Sequence, residues 1–157
     1  MSLATRIALT TVFVTAFAAP SFAQDAKAIQ AAIDARKAQM TLYAFNLGLL
    51  GGMAKGEIDY NADSAQAAAS GILMLTKLDA ARMWPAGSDE MSADGTRAKA
   101  EMWDNMQDVF SKAMMMQSAA EAMDGAAGQG VDALRGAMGG LGGACGACHK
   151  AYRAPKN

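Results

Sequence analysis

The stretch VDALRGAMGGLGGACGACHKAYR, residues 131–153, decides how this chain folds. Within it Leu134, Met138, Leu141, Cys145, Cys148 and Tyr152 recur in steps of four and three, the spacing that puts side chains on one face of a helix. The far end of that stripe is Cys145-Gly146-Ala147-Cys148-His149, which holds both cysteines and the one histidine of the chain. Cys-x-x-Cys-His is the attachment pattern of a c-type haem: each thiol adds across a porphyrin vinyl group, and the adjacent imidazole is held beneath the iron. One such run predicts one covalent haem c, with Cys145 and Cys148 as anchors and His149 as an axial metal ligand. A zinc site would need a further ligand pair, and none exists. A thioredoxin-type dithiol would follow a strand in a βαβ unit, whereas this pair closes a helical segment rich in Gly and Ala.

At the other end, Arg6 precedes an almost unbroken apolar run from Ile7 to Ala19, and Ser21-Phe22-Ala23 is a small-x-small cleavage site. Residues 1–23 are therefore expected to be a cleaved signal peptide, leaving 24–157 as one domain exported to the periplasm. The run ends at Pro20, short of the ~20 residues that span a bilayer. Export agrees with thioether formation outside the cytoplasm. The whole chain has 14 basic and 15 acidic residues, and loss of Arg6 with the leader leaves 13 against 15. A mildly acidic chain does not suit nucleic acid. No later apolar run is long enough for stable membrane insertion, and Lys55, Lys77, Lys99 and Lys112 are too scattered for a polybasic membrane patch.

Three breaks divide residues 24–157 into four helical segments. From Asp25 to about Ala54, Ile29, Ile33, Arg36, Met40, Tyr43, Leu47 and Leu50 share one face, with Gly51 and Gly52 weakening the end and residues 56–61 forming a turn. Asp63 or Ser64 is expected to cap a second helix that carries Ile72, Leu75, Leu78 and Ala81 and ends before Pro85. Residues 84–95 have loop chemistry. A third helix is expected from about Thr96 or Lys99 to Met123, presenting Trp103, Met106, Phe110 and Ala113, before Gly125, Gly128 and Gly130 break the chain. The fourth starts near Val131. The predicted fold is all-α, an antiparallel up-down-up-down four-helix bundle with covalent haem. Gly136, Gly139, Gly140, Gly142, Gly143 and Gly146 each cost up to ~1 kcal/mol in a helix interior. Small residues let a neighbouring helix or the porphyrin approach the backbone, so the haem is expected to complete the fold.

The string Cys145 to Arg153 at the C-terminal end of four amphipathic helices resembles cytochrome c-prime and its low-spin relatives of the same bundle fold. Arg36 and Met40, spaced four apart on the first helix, are similar to the family's arginine and distal-pocket residue. Lys55-Gly56-Glu57 with Tyr60, Trp84-Pro85-Ala86-Gly87, and Trp103 extend the resemblance over the whole chain after the leader. It implies a haem carried by Cys145 and Cys148, His149 as proximal ligand, and Met40 facing the iron from the opposite side. A thioether is able to bind iron, but the chain holds 13 Met, including Met114, Met115 and Met116, and Met is also a filler of irregular cores. Arg36, a lone guanidinium on a core stripe, needs a buried anion: a haem propionate, or a Glu or Asp within the bundle. Arg153, one turn after His149, is placed to reach a propionate or the proximal imidazole, or else is a solvated cation at the helix end.

Two functions of different kinds follow. With Met40 as sixth ligand the iron changes oxidation state with little rearrangement, and the protein carries electrons to and from a redox partner protein that the sequence does not name. With Met40 only packed over the iron, the site is five-coordinate and open to a small gas ligand, nitric oxide or carbon monoxide. Enzymatic oxygen or peroxide chemistry ranks third, because no distal histidine or acid–base pair is available to cleave an O–O bond. The resemblance also implies a homodimer, usually formed through the first two helices.

Overall fold

The computed structural model describes residues 21–156, with side chains from Asp25 onward. Four long helices form an antiparallel up-down-up-down bundle: α1 (Ser21–Lys55), α2 (Ala62–Thr76), α4 (Met106–Ala127) and α5 (Val131–Tyr152), with a single-turn α3 (Glu101–Asp104) leading into α4. Each long helix packs on the next, and α1 closes the ring against α5. Among the described residues the only β-type pairing is an isolated bridge between Ala98 and Arg153. The expected leader lies mostly outside the described residues, and α1 begins at Ser21.

Helix ends depart from the sequence pattern at three places, each with a local cause. Asn61, not Asp63 or Ser64, caps α2: its side chain accepts from the Ser64 N–H at 2.8 Å, while its own backbone stays extended. The same helix stops at Thr76 and never reaches Leu78 or Ala81, which was expected to share its stripe. Thr76 Oγ1 bonds back to Leu73 O at 2.7 Å, and Asp79 Oδ1 accepts from the Ala81 N–H at 3.1 Å, which starts a separate 3₁₀ turn, Ala81–Met83. The third helix starts later and ends later than expected. Asn105 interrupts it with φ −127°, its carboxamide donating to Glu101 O at 2.8 Å, and α4 then runs through Gly125 to Ala127.

Glycine acts at two of the corners. Gly51 and Gly52 do not end α1, which continues to Lys55; a Cβ on Gly52 would lie 2.6 Å from Ile58 Cδ1, so the bare backbone admits the returning chain. Gly130, at φ 121°, turns α4 into α5, and the corner is pinned by Tyr60. Its hydroxyl donates to Ala127 O at 2.8 Å and accepts from the Gly130 N–H at 2.9 Å.

The dry core occupies one end of the bundle. Leu50, Met53, Ala65, Ala68, Ala69, Ile72, Ala120, Met123, Ala127, Leu134 and Leu141 form one cluster. Beyond it the helices stay together but burial stops. No residue of 40–49, 73–87, 103–119 or 145–156 is fully buried, although these segments carry Met40, Leu47, Leu75, Met106, Phe110 and both cysteines. Past this zone Ile33, Arg36, Ser88 and Met102 are buried again. The core is thus interrupted at one level on all four helices.

Candidate functional site

Cys145 and Cys148 lie at that level, half-buried on the inward stripe of α5. Cys145 Sγ is 3.7 Å from Met116 Sδ of α4, and Tyr43 of α1 is near enough to feel the thiol's charge. Burial pushes both thiols up from their ordinary pKa, and burial with the nearby Cys145 pushes Tyr43 up to about 12. Cys148 faces the Lys112 and Asp108 pair of α4. Asp108 takes a 2.6 Å bond from the Tyr152 hydroxyl and a 3.0 Å ion pair from Lys112 Nζ, and the two together hold its carboxyl below the usual range. This triangle ties the last turn of α5 to α4 on the side of the cysteines. Tyr152 was legible as a stripe residue, but nothing in the sequence joins it to Asp108 and Lys112.

His149 is half-buried one residue on. Burial lowers its pKa, and the charges of Arg153 and Arg97 lower it further, so the neutral imidazole that binds iron is the favoured form. The ring borders an open hollow of about 490 Å³ lined also by Arg97, Lys150, Arg153 and Lys156. Arg153 is therefore brought beside His149, as its spacing suggested.

Met40 is on α1, one turn after Arg36 and one turn before Tyr43, and is 39% exposed. Arg36, by contrast, is 3% exposed. Its Nη1 donates to Ser88 Oγ at 2.7 Å and Met83 O at 3.2 Å, and its Nη2 donates to Thr96 Oγ1 at 2.6 Å and to Ser88 O. The guanidinium also lies 4.5 Å from the Trp84 ring centroid. These four partners are neutral oxygens of the segment Met83 to Thr96, not a Glu or Asp side chain as the sequence alone allowed. Burial lowers the guanidinium pKa, and the Asp89 charge nearby raises it again. None of the four bonds uses Nε. Ser88 and Thr96, legible only as a loop residue and a possible helix start, make residues 84–96 a wall of the site and not merely a connection. Trp84 in turn meets Trp103 at 6.4 Å between ring centroids, and Trp103 Nε1 donates to Trp84 O at 3.2 Å.

Two thiols and an imidazole on one helix face, opening onto a level where apolar side chains from the other helices find no protein to cover them, fit a covalently held porphyrin. Comparison with known proteins decides the matter: the family model for cytochrome c' matches residues 31–153. The chain belongs to the cytochrome c' family. It is 42% identical to cytochrome c-554 of Cereibacter sphaeroides over 136 residues, which is 87% of this chain and 89% of that one. The solved cytochrome c' from Rhodobacter Spheriodes superposes with a TM-score of 0.79 at 36% identity, covering 82% of this chain and 98% of its own. A further cytochrome c', described as having an unusual ligand-controlled dimer dissociation, matches with a TM-score of 0.75 at 30% identity over 81% of this chain and 97% of that one. As a cytochrome c' family member, the protein is a c-type cytochrome with covalently attached haem c. No helix among its described residues is long and apolar enough to cross a membrane.

The α5 glycines correct an expectation. A Cβ added at Gly136, Gly139, Gly140, Gly142, Gly143 or Gly146 would meet nothing within 4 Å, so these residues do not serve close packing of another helix.

Proposed function

We propose that this cytochrome is a periplasmic electron carrier and not an enzyme, with its haem c bonded to Cys145 and Cys148 and its iron bound by His149 and Met40. The observation that carries the reading is the coincidence of the Cys145–His149 face with the level at which the core is interrupted. The haem supplies one-electron chemistry at iron. The chain's own part is to fix what surrounds it. Cys145 and Cys148 would fasten α5 to the group, and burial, with the charges of Arg153 and Arg97 beside it, favours the neutral His149 that can coordinate. Met40, the sulfur on α1 one turn from Tyr43, is the sixth-ligand candidate in a chain with no second histidine. Arg153 beside His149 and Arg36 through its Nε are the donors for propionates. The leader ending at Ala23 supports the periplasmic address.

Absorption spectra of the ferric and ferrous protein, with and without carbon monoxide, test this. The expected result is a low-spin spectrum that ignores the gas, turned high-spin and gas-sensitive by Met40→Ala. A wild-type spectrum that is already high-spin and shifts with carbon monoxide would establish the five-coordinate, gas-binding alternative instead.

We also propose a homodimer through α1 and α2. Gln39 donates to Leu75 O at 2.9 Å and Asn46 lies against Gly71, which fixes the flank of α1 that meets α2. Leu42 and Phe45 continue past that flank, and Phe45 is 76% exposed and Met74 on α2 63% exposed. Such an apolar patch fits an interface. Phe45→Glu is expected to give a monomer in sedimentation equilibrium under conditions where the wild type is a dimer; an unchanged mass would rule the interface out.

A further inference from the structure

We infer that the hollow bordered by Arg97, Lys150, Arg153 and Lys156 is the docking surface for an acidic redox partner protein, which meets the haem through its His149 side. The inference rests on the electron-carrier reading and adds the place and chemistry of the partner. It begins in the sequence. No Asp or Glu follows Asp132, while Arg135, Lys150, Arg153 and Lys156 do, in a chain whose net charge is −1.

The fold then concentrates this asymmetry. Lys99 N–H donates to Tyr152 O at 3.0 Å and Ala154 N–H to Arg97 O at 2.9 Å, with Arg97 Nη1 reaching Ala154 O at 3.4 Å. That splice brings Arg97 and Lys99 alongside the basic C-terminal segment. The result is a hollow of about 490 Å³ lined by four cations and, among the described residues, no carboxylate, with the His149 ring at its edge. Glu90 is set to one side, in the adjoining hollow of about 430 Å³. The ion pairs of the described residues use none of these cations, and with Arg153 given to a propionate, Arg97, Lys150 and Lys156 are left to face a partner.

The same geometry argues for a protein rather than a small anion. Lys150, Arg153 and Lys156 are exposed, and the hollow is open, so no buried set of donors converges on a point. Spread, solvated cations steer a large opposite charge and leave a small ion hydrated. A partner seated here would touch the hollow that His149 borders, over the small, weak interface that suits electron exchange.

The test follows oxidation of the ferrous protein by stopped flow. One electron passes from iron to hexacyanoferrate(III), an anion, or to tris(phenanthroline)cobalt(III), a cation. Between about 10 mM and about 0.3 M salt, the rate with the anion is expected to fall about tenfold or more, and the rate with the cation to hold or rise. Lys150→Glu should remove most of the anionic advantage, and Lys150→Glu/Lys156→Glu all of it. Lys55→Glu, the same charge change at the opposite end of the bundle, should leave it intact. Poly-L-glutamate should slow the anionic reaction at an ionic strength where inorganic phosphate does not. Equal effects of Lys150→Glu and Lys55→Glu, or competition by phosphate as strong as by polyglutamate, would overturn the proposal. A low-spin, gas-indifferent spectrum with salt-independent rates would remove the docking surface alone, whereas a gas-sensitive spectrum would remove the carrier reading beneath it.

Discussion

Arg36 occupies a position where the stripe of α1 demands an apolar side chain, and its environment shows why a cation is held there. Two carbonyls and two hydroxyls from the loop, with the Trp84 ring, give the guanidinium fork partners in several directions. Lysine has neither the planar fork nor the stacking face. Arg36→Ala should therefore leave Met83 O and both Ser88 oxygens short of donors, at a cost of about 3 kcal/mol, and Arg36→Lys should recover less than half of it. Urea unfolding of the holoprotein measures both. A loss below ~1 kcal/mol for Arg36→Ala would mean that the loop holds itself. At this scale the sequence was partly legible. The haem motif named its own residues, and a lone Arg on a core stripe announced a buried partner. Which partner was hidden, because Ser88 and Thr96 are ordinary loop residues until the chain folds back over α1 from some 50 residues away.

Helices were legible wherever apolar spacing and an uninterrupted backbone agreed, which holds for α1 and α5; their ends were not. Thr76, Asp79 and Asn105 each divert a backbone hydrogen bond to a side chain, and such local competition leaves no mark on hydrophobic period. The α5 glycines make a different case. They were expected to admit a close neighbour, but Gly136, Gly143 and Lys150 recur at steps of seven on the outer face, where added methyl groups meet open space. Their cost is then only the unfolded-state entropy of glycine. Gly136→Ala and Gly143→Ala should each stabilise the holoprotein by about 0.5–1 kcal/mol, additively, and raise the melting temperature by a few degrees together. Destabilisation by either would show that the outer face of α5 is covered by something other than solvent.

At the scale of the molecule, the interrupted core explains why the haem motif sits at the end of the last helix. The cluster under Leu50, Ile72, Met123, Leu134 and Leu141 is padded with Ala65, Ala68, Ala69, Ala120 and Ala127, which bury little apolar area each. It holds one end of the bundle and brings α5 beside α1 and α4 before Cys145 is reached. From there on, protein packing supplies no buried residue on α5, and none between Met102 and Ala120 on the facing segment, where Met106 and Phe110 are exposed, Phe110 by 67%. The apolar area missing from that level is what a thioether-bonded porphyrin contributes. Cys145→Ala/Cys148→Ala, which cannot hold the haem, should therefore keep much of its far-UV helix signal, because the dry end persists. It should lose the near-UV signal of Trp84 and Trp103 and melt over a broad range, as compact states without fixed packing do. The single variants, each with one thioether, should fall between. A haem-free protein with a sharp calorimetric transition and native near-UV dichroism would show instead that the four helices close the gap unaided, and that the haem is a passenger in the fold.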